Sequence, residues 1–468
     1  MYQHRKEIMQ NVFLTYLPAS KFKTSVLSAH LVTPLQKETA AANALLPAVL
    51  RRGTMRCPDM ESLSAALDTL YGAQIDYTVR KKGERQCIGF VASVIDDAFA
   101  PTGEKLLEPV ADLLGELFLD PVTRNGRFLA EYVESEKQNL IDAIRAIRND
   151  KQDWADVRLM QEMCAGEPYG VLRLGDEESA ARINNHKLFN HYQQLLATSR
   201  MELFYCGSAR QERVQGALCR AFAALPRGVV AEGEPIRRVA APQEPRYLTE
   251  EMDVTQGKLS MGWRCGTDDI PAMIMANLIF GGTSNAKLFL NVREKLSLCY
   301  YASSSYARSK GIMTVASGIE TGNFQQAHDE ILHQLELVKQ GQWEEWELQG
   351  ALATMCSSLT SLSDSQGALE NYYLGQTATG AEDTPEDLMA ALCQVTPERI
   401  QKAAQSCRLD TVFFLKGKEE TVCGSIMTAS ARPPGGRRCP TVCRSASYRK
   451  KASSGNMHCL PPVTAAWI

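Results

Sequence analysis

Period-two alternation of apolar and polar residues over SVLSAHLVTPL (25–35) predicts a strand, after which the pattern changes to a helical run that stops at Gly53-Thr54. A helix is predicted over LSAALDTLYG (63–72), then two strands, AQIDYTVRK (73–81) and RQCIGFVASV (85–94), and a long helical region. The same order of signals returns later in the chain. KLSMGWRC (258–265) reads as a strand, a helical run stops at Gly282-Thr283, and KLFLNVREKLSLCY (287–300) follows as helix. Two further strands, YASSSYARS (301–309) and GIMTVASGI (311–319), precede more helices. Each series closes on a helix and a strand, NHKLFNHYQQLLATSRMELFYCG (185–207) in the first and TPERIQKAAQSCRLDTVFFLKG (396–417) in the second.

The spacing agrees as well as the order. Gly282 follows Gly53, and Tyr300 follows Tyr71, by the same 229 residues, while TVAS follows FVAS by 224. This is the mark of an internal duplication. Alternation along the strands is that of a sheet covered on one face by helices. The predicted fold is therefore α+β: two homologous halves, each a mostly antiparallel sheet backed by helices, forming a clam-shell around a chamber. The first half is assigned to 1–208 and the second to 247–420, with a linker at 209–246 that contains the Pro-, Gly- and charge-rich RGVVAEGEPIRRVAAPQEPR.

Composition adds exclusions. In 468 residues, 44% hydrophobic and 22% charged side chains with a net charge of -3 describe a folded globular protein and give no reason to expect nucleic acid as a partner. The N-terminus lacks the continuous apolar core of a secretory signal, and no stretch approaches the roughly 18 apolar residues of a membrane span, so a cytoplasmic location is expected. The 14 cysteines are scattered singly; Cys57, Cys87, Cys164, Cys206, Cys219 and Cys265 form no C-x-x-C pair and read as reduced core thiols. Residues 421–468 differ from the rest, with seven basic side chains, no acidic one, and runs such as ARPPGGRRCP. A disordered, non-native extension is expected there, and Cys423, Cys439, Cys443, Cys459 and His458 lack the paired spacing of a zinc site.

The stretch FGGTSNAKLFLNVREKLSLCYYASSSY resembles the signature of the pitrilysin/insulinase family of zinc peptidases, and VESEKQNLIDAIRAIRNDKQDWADVRLMQEMCAGEPYG resembles the long helical segment of a bacterial branch of that family. The branch takes its name from association with 5-aminopentanol modification of elongation factor P. The resemblance covers about residues 10–417. It implies that the helix ending at Gly53-Thr54 should carry H-x-x-E-H, two histidines one turn apart on zinc and a glutamate that polarises water. Counting back from Gly53, those positions hold Ala44, Pro47 and Ala48. The third ligand, a glutamate, falls near Ala143, with Asp142 its nearest carboxylate. Methyl groups and a pyrrolidine ring donate no electron pair, so no metal and no cofactor are expected. The histidines outside the tail do not compensate: His186 and His191, like His328 and His333, are five apart and point away from each other on a helix, and His4 and His30 stand alone.

Arg293 and Tyr300 remain. The resemblance implies that they face the zinc across the chamber and hold the substrate carbonyl, as a guanidinium and a phenol are able to do for a developing oxyanion. Gly281 and Gly282 are assigned to shaping the substrate-binding edge, where an extended peptide adds through its backbone. Two-chain members of the family divide the zinc motif and the Arg-Tyr pair between subunits. The expected role is thus a catalytically incomplete subunit pairing with a zinc-bearing homologous peptidase subunit. The alternatives are a non-proteolytic peptide-binding scaffold linked to elongation factor P and an active peptidase with an unrecognised metal site.

Overall fold

The computed structural model describes residues 4–231, 233–236 and 238–418; the tail expected at 421–468 lies outside the described residues. The first half contributes β1 (His4–Met9), β2 (Val12–Pro18), β3 (Thr24–Pro34), β4 (Gln74–Lys82), β5 (Arg85–Ile95), a two-residue hairpin of β6 (Thr123–Arg124) and β7 (Arg127–Phe128), and β8 (Arg200–Gly207). The second contributes β9 (Arg246–Met252), β10 (Gly257–Cys265), β11 (Cys299–Ala307), β12 (Ile312–Ile319) and β13 (Cys407–Gly417). The main sheets run β1-β2-β8-β3-β5-β4 and β11-β12-β10-β13-β9. Read backwards from β9, the second order reproduces the first without β1. Even the single parallel pairing recurs, β2 with β8 in one and β9 with β13 in the other, all other neighbours being antiparallel. The predicted duplication and α+β class are borne out.

Helices of the first half are α1 (Ala40–Leu50), α2 (Met60–Asp68), α3 (Leu107–Leu119), α4 (Ala130–Ala146), α5 (Lys151–Met163), α6 (Glu177–Ala181), α7 (Asn185–Thr198) and α8 (Gln211–Ala221). The second half has α9 (Ile270–Asn277), α10 (Phe324–Lys339), α11 (Glu345–Leu362), α12 (Gln366–Thr379), α13 (Pro385–Cys393) and α14 (Pro397–Gln405). Helix α8 falls inside the predicted linker, whose first part is therefore corrected. Val214, Ala217, Leu218 and Phe222 follow helical spacing, are buried, and join the first-half core beside α3. The Pro- and Gly-rich remainder has no helix or strand among its described residues before Arg246.

The expectation of helices on one sheet face also needs amendment. Leu27, Ala29 and Leu31 of β3 face the helices of their own half, while Val26 belongs to a core shared with Tyr372 and Tyr373 of α12. Helix α12 of the second half thus lies on the outer face of the first sheet, with Leu374 and Ala378 against Val32 and Cys87. Reciprocally, α5 of the first half lies on the second sheet, where Ala155 and Leu159 pack on Phe413 and Leu415. Each half completes the other, so central strands are buried on both faces.

Polar groups fix this exchange. Glu84 and Lys310, at the tips of the β4-β5 and β11-β12 hairpins, stand 226 residues apart and thus at matching points of the duplication. They meet at 2.5 Å, and Lys310 Nζ also reaches Glu167 at 2.6 Å. Arg264 joins Glu167 at 2.6 Å to Asp410 at 2.7 Å. At the other exchange, Glu370 of α12 accepts from Ser28 at 3.0 Å and from Arg80 at 2.5 Å, and its Oε1 stands 3.5 Å from His30 Nδ1. Removing one member of a buried ion pair leaves the other charge unanswered, at a cost of about 3–5 kcal/mol, whereas an exposed pair is worth about 1 kcal/mol or less.

Two outcomes follow from the seam. Lys310→Met is expected to lower unfolding free energy in urea by several kcal/mol while Lys21→Ala, which removes an exposed partner of Asp364, changes it little. Equal effects would contradict the seam's role. Burial, aided by Arg80 and Lys82 and opposed by Glu370, lowers the pKa of His30 to about 4. The unfolded chain therefore takes up a proton near pH 6.5 that the folded chain refuses until about pH 4. Stability should fall across that window by up to about 3 kcal/mol. A His30→Gln variant should lose this component of the slope, and a His30 resonance titrating near 6.5 would refute it.

Candidate functional site

Helix α1 is apolar on nearly every side, and all of its residues but Ala42 are buried. Its one polar residue, Asn43, anchors it. Asn43 Nδ2 donates to Gln86 Oε1 at 2.8 Å, and Gln86 Nε2 donates to the carbonyls of Ala40 at 3.0 Å and Arg173 at 2.6 Å. Since the Asn43 amide donates to Gln86, its Oδ1 is left to accept, and His191 Nε2 donates to it at 2.6 Å. Burial lowers the His191 pKa, which suits the neutral ring. His191 is thus held as a structural partner of α1, and the lone amide of Asn43 in an apolar helix is the sequence signal for such an anchor.

The helix stop has physical causes of its own. A side chain at Gly53 would begin 2.6 Å from the Cys57 carbonyl oxygen, and Thr54, wholly buried, accepts the Cys57 N–H at 3.0 Å. Arg51 Nε donates to the Ile75 carbonyl at 2.7 Å. Arg52 ties α1 to α4 by Glu136 at 2.5 Å and Ser135 at 2.9 Å. Pro47 withholds an N–H from the helix interior, yet α1 runs unbroken from Ala40 to Leu50.

Ala44 and Ala48 are buried with 3% and 8% exposure, and Pro47 is buried between them. On α4, Ala143 is exposed, while Asp142 accepts from Gln138 at 2.9 Å and stands 3.8 Å from Arg145. No lone pair is offered along this seam at the positions where the resemblance places zinc ligands. Nor do three or more His, Cys, Asp or Glu side chains cluster as a metal site anywhere among the described residues. Zinc does not fit the groups present.

In the second half, Gly281 and Gly282 end a π-helical turn, Leu278–Gly282, and Arg293 lies in another, Leu288–Lys295, where ordinary helix was predicted. Such turns are uncommon and frequent at functional sites. Gly281 is a close-approach residue: a Cβ there would stand 2.6 Å from Leu288 Cδ1 and 2.9 Å from the Ser304 nitrogen. A Cβ at Gly282 would stand 3.0 Å from Asn277 Nδ2. The Arg293 guanidinium lies 4.6 Å over the Phe289 ring, meets Glu294 at 3.5 Å, and is 41% exposed. Tyr300 is the second residue of β11, the edge strand of the second sheet, at a bulge between Cys299 and Tyr301. It is 54% exposed and donates its hydroxyl proton to Glu320 at 2.7 Å, a bond that raises the phenol pKa and keeps Tyr300 a donor. The π-helical segment carrying Arg293 packs on β11, the strand that carries Tyr300.

The family model described as "Peptidase M16 inactive domain" matches residues 182–355. "Probable inactive metalloprotease YmfF" of Bacillus subtilis (strain 168) is 36% identical over 405 residues, covering 85% of this chain and 94% of that protein. The "Uncharacterized zinc protease YmxG" of the same organism is 21% identical over 304 residues, or 63% and 71% of the two chains. A crystal structure of a conserved protein from Enterococcus faecalis V583 superposes with a TM-score of 0.81 at 29% identity, covering 89% of this chain and 99% of that one.

Metal analysis checks the donor inventory directly. The isolated chain, loaded with zinc and then dialysed, is expected to retain far less than one equivalent; a stoichiometric, tightly held ion would overturn the reading of Ala44, Pro47 and Ala48.

Proposed function

Because this chain belongs to the peptidase M16 family, we propose that it is the metal-free, substrate-binding subunit of a two-chain peptidase, pairing with a zinc-bearing homologue. The observation that carries the reading is the asymmetry between the halves. Methyl and pyrrolidine groups occupy the ligand positions of α1, while Arg293 and Tyr300 persist on an exposed sheet edge. An extended peptide adds to such an edge through backbone hydrogen bonds, with Gly281 and Gly282 keeping the adjoining turn close to β11. Tyr300 and Arg293 then donate to the substrate carbonyl as charge builds on it, Tyr300 exchanging its bond to Glu320 for one to the oxyanion. The helices on the second faces of both sheets fill the seam within this chain, so the reaction chamber is formed with the partner subunit.

That a zinc protease and a probable inactive metalloprotease, both similar to this chain, occur in one organism supports pairing. A scaffold role around elongation factor P has no residue here that favours it. Co-purification separates the two, a zinc-bearing homologue as main partner supporting the first and a translation factor without one supporting the second.

In the reconstituted pair, Arg293→Ala is expected to lower kcat/KM by about 10²–10³, the scale for losing one oxyanion donor. Tyr300→Phe should lower it by a comparable or smaller factor. Unchanged turnover in both variants would refute the assignment.

A further inference from the structure

Strand β9 is the edge of the second sheet opposite β11, and its second residue, Tyr247, presents an exposed phenol. The matching strand of the first half has none. Strands β2 and β9 are both seven residues long and pair in parallel, residue for residue, with β8 and β13, which sets Phe13 where Tyr247 stands. The sheet is served by a phenyl ring at this position, and the hydroxyl of Tyr247 is an addition.

That hydroxyl meets helix α10. Tyr247 Oη stands 3.2 Å from His328 Nε2, within reach of a general base, and His328 Nδ1 stands 2.8 Å from Asp329 Oδ1. Gln325 Nε2 donates to both Asp329 oxygens at 2.9 Å. Hydrogen bonds from Gln325 and then His328 hold the Asp329 carboxyl below its usual range, so it is ionised and can only accept. His328 Nδ1 must therefore carry a proton, which leaves Nε2 of the neutral ring as an acceptor. Tyr247 donates its O–H to that nitrogen. The imidazole is steadied by the Phe324 ring, stacked on it at 5.9 Å, and Phe324 packs in turn on Phe414 at 4.6 Å. His328 is 6% exposed and Tyr247 55%, so a base shielded from water serves a nucleophile open to it. Carboxylate, imidazole and hydroxyl in this order form the relay of a nucleophilic triad, with a phenol in place of an alcohol.

We propose that Tyr247 is a covalent acylation site, its oxygen attacking the carbonyl carbon of an activated carboxylic ester while His328 Nε2 takes the phenol proton. The ester C–O bond then breaks, the leaving alkoxide takes that proton from His328, and the acyl group stays on Tyr247 as an aryl ester. Asp329 positions the ring and answers the charge of the imidazolium. The same carboxylate, exposed beside the relay, repels an anion, so a neutral acyl donor fits where a phosphoryl donor does not. The site lies on the far edge of the sheet from Tyr300 and does not depend on the role proposed for that edge.

Treating the full chain with p-nitrophenyl acetate and mapping its peptides by mass spectrometry tests this. The acetyl ester should appear on Tyr247, and His328→Gln should slow its formation by about 10², the low end of what a general base supplies. Tyr77, 47% exposed on β4 and with no hydrogen bond to its hydroxyl among the described residues, is the reference within each molecule, since unfolding would alter its labelling as well. Asp329→Asn, at an exposed position, should slow Tyr247 by a smaller factor, because an amide oxygen still accepts from Nδ1. Absence of the ester from Tyr247 of the wild-type chain would overturn the proposal. So would a loss in His328→Gln, measured against Tyr77, of less than about tenfold.

Discussion

The reciprocal loan of α5 and α12 is the constraint on which the rest of the structure depends. A sheet buried on both faces must be covered on both, and each half here owns the cover for only one. Opening the chain at its seam would uncover two apolar faces and strand Lys310, Glu84 and Glu370. The two hairpin tips meet at equivalent points of the duplication yet carry opposite charges, so the duplicated sequence has diverged where identity would have set like charges against each other. The two halves are thereby joined by shared apolar cores and buried ion pairs.

Helix α1 keeps its place through contacts of its own. The helix is held by Asn43, Arg51, Arg52 and the Gly53-Thr54 turn, none of which is a metal ligand. Ala44, Pro47 and Ala48, at the positions that the resemblance gives to zinc ligands and base, leave those anchors undisturbed, and Ala44 adds to the first-half core. In the second half, the side chains that the resemblance singles out are Arg293 and Tyr300. Similarity to the M16 fold therefore describes a scaffold here, and the function has to be argued from those side chains.

Some features legible in the chain went unread. The spacing of Val214, Ala217, Leu218 and Phe222 marks α8 plainly, but the Pro- and Gly-rich composition that follows drew the linker boundary too early. Asn43 is likewise visible as the one amide in an apolar helix. Others had no local sign: nothing in FGGTSNAKLFLNVREK distinguishes a π turn from an α turn, because the difference is set by how Gly281 and Leu288 pack against Ser304.

By itself the sequence determined the duplication, the alternation of strands and helices in each half, and the absence of electron-pair donors at three positions of α1. These are local properties, carried by periodicity and residue type along a few consecutive turns. Tertiary structure alone decided which helix covers which sheet, and that Ser28 and Arg80 would meet a glutamate 342 and 290 residues away. Such pairings depend on the whole chain closing at once, and no window of sequence contains both partners.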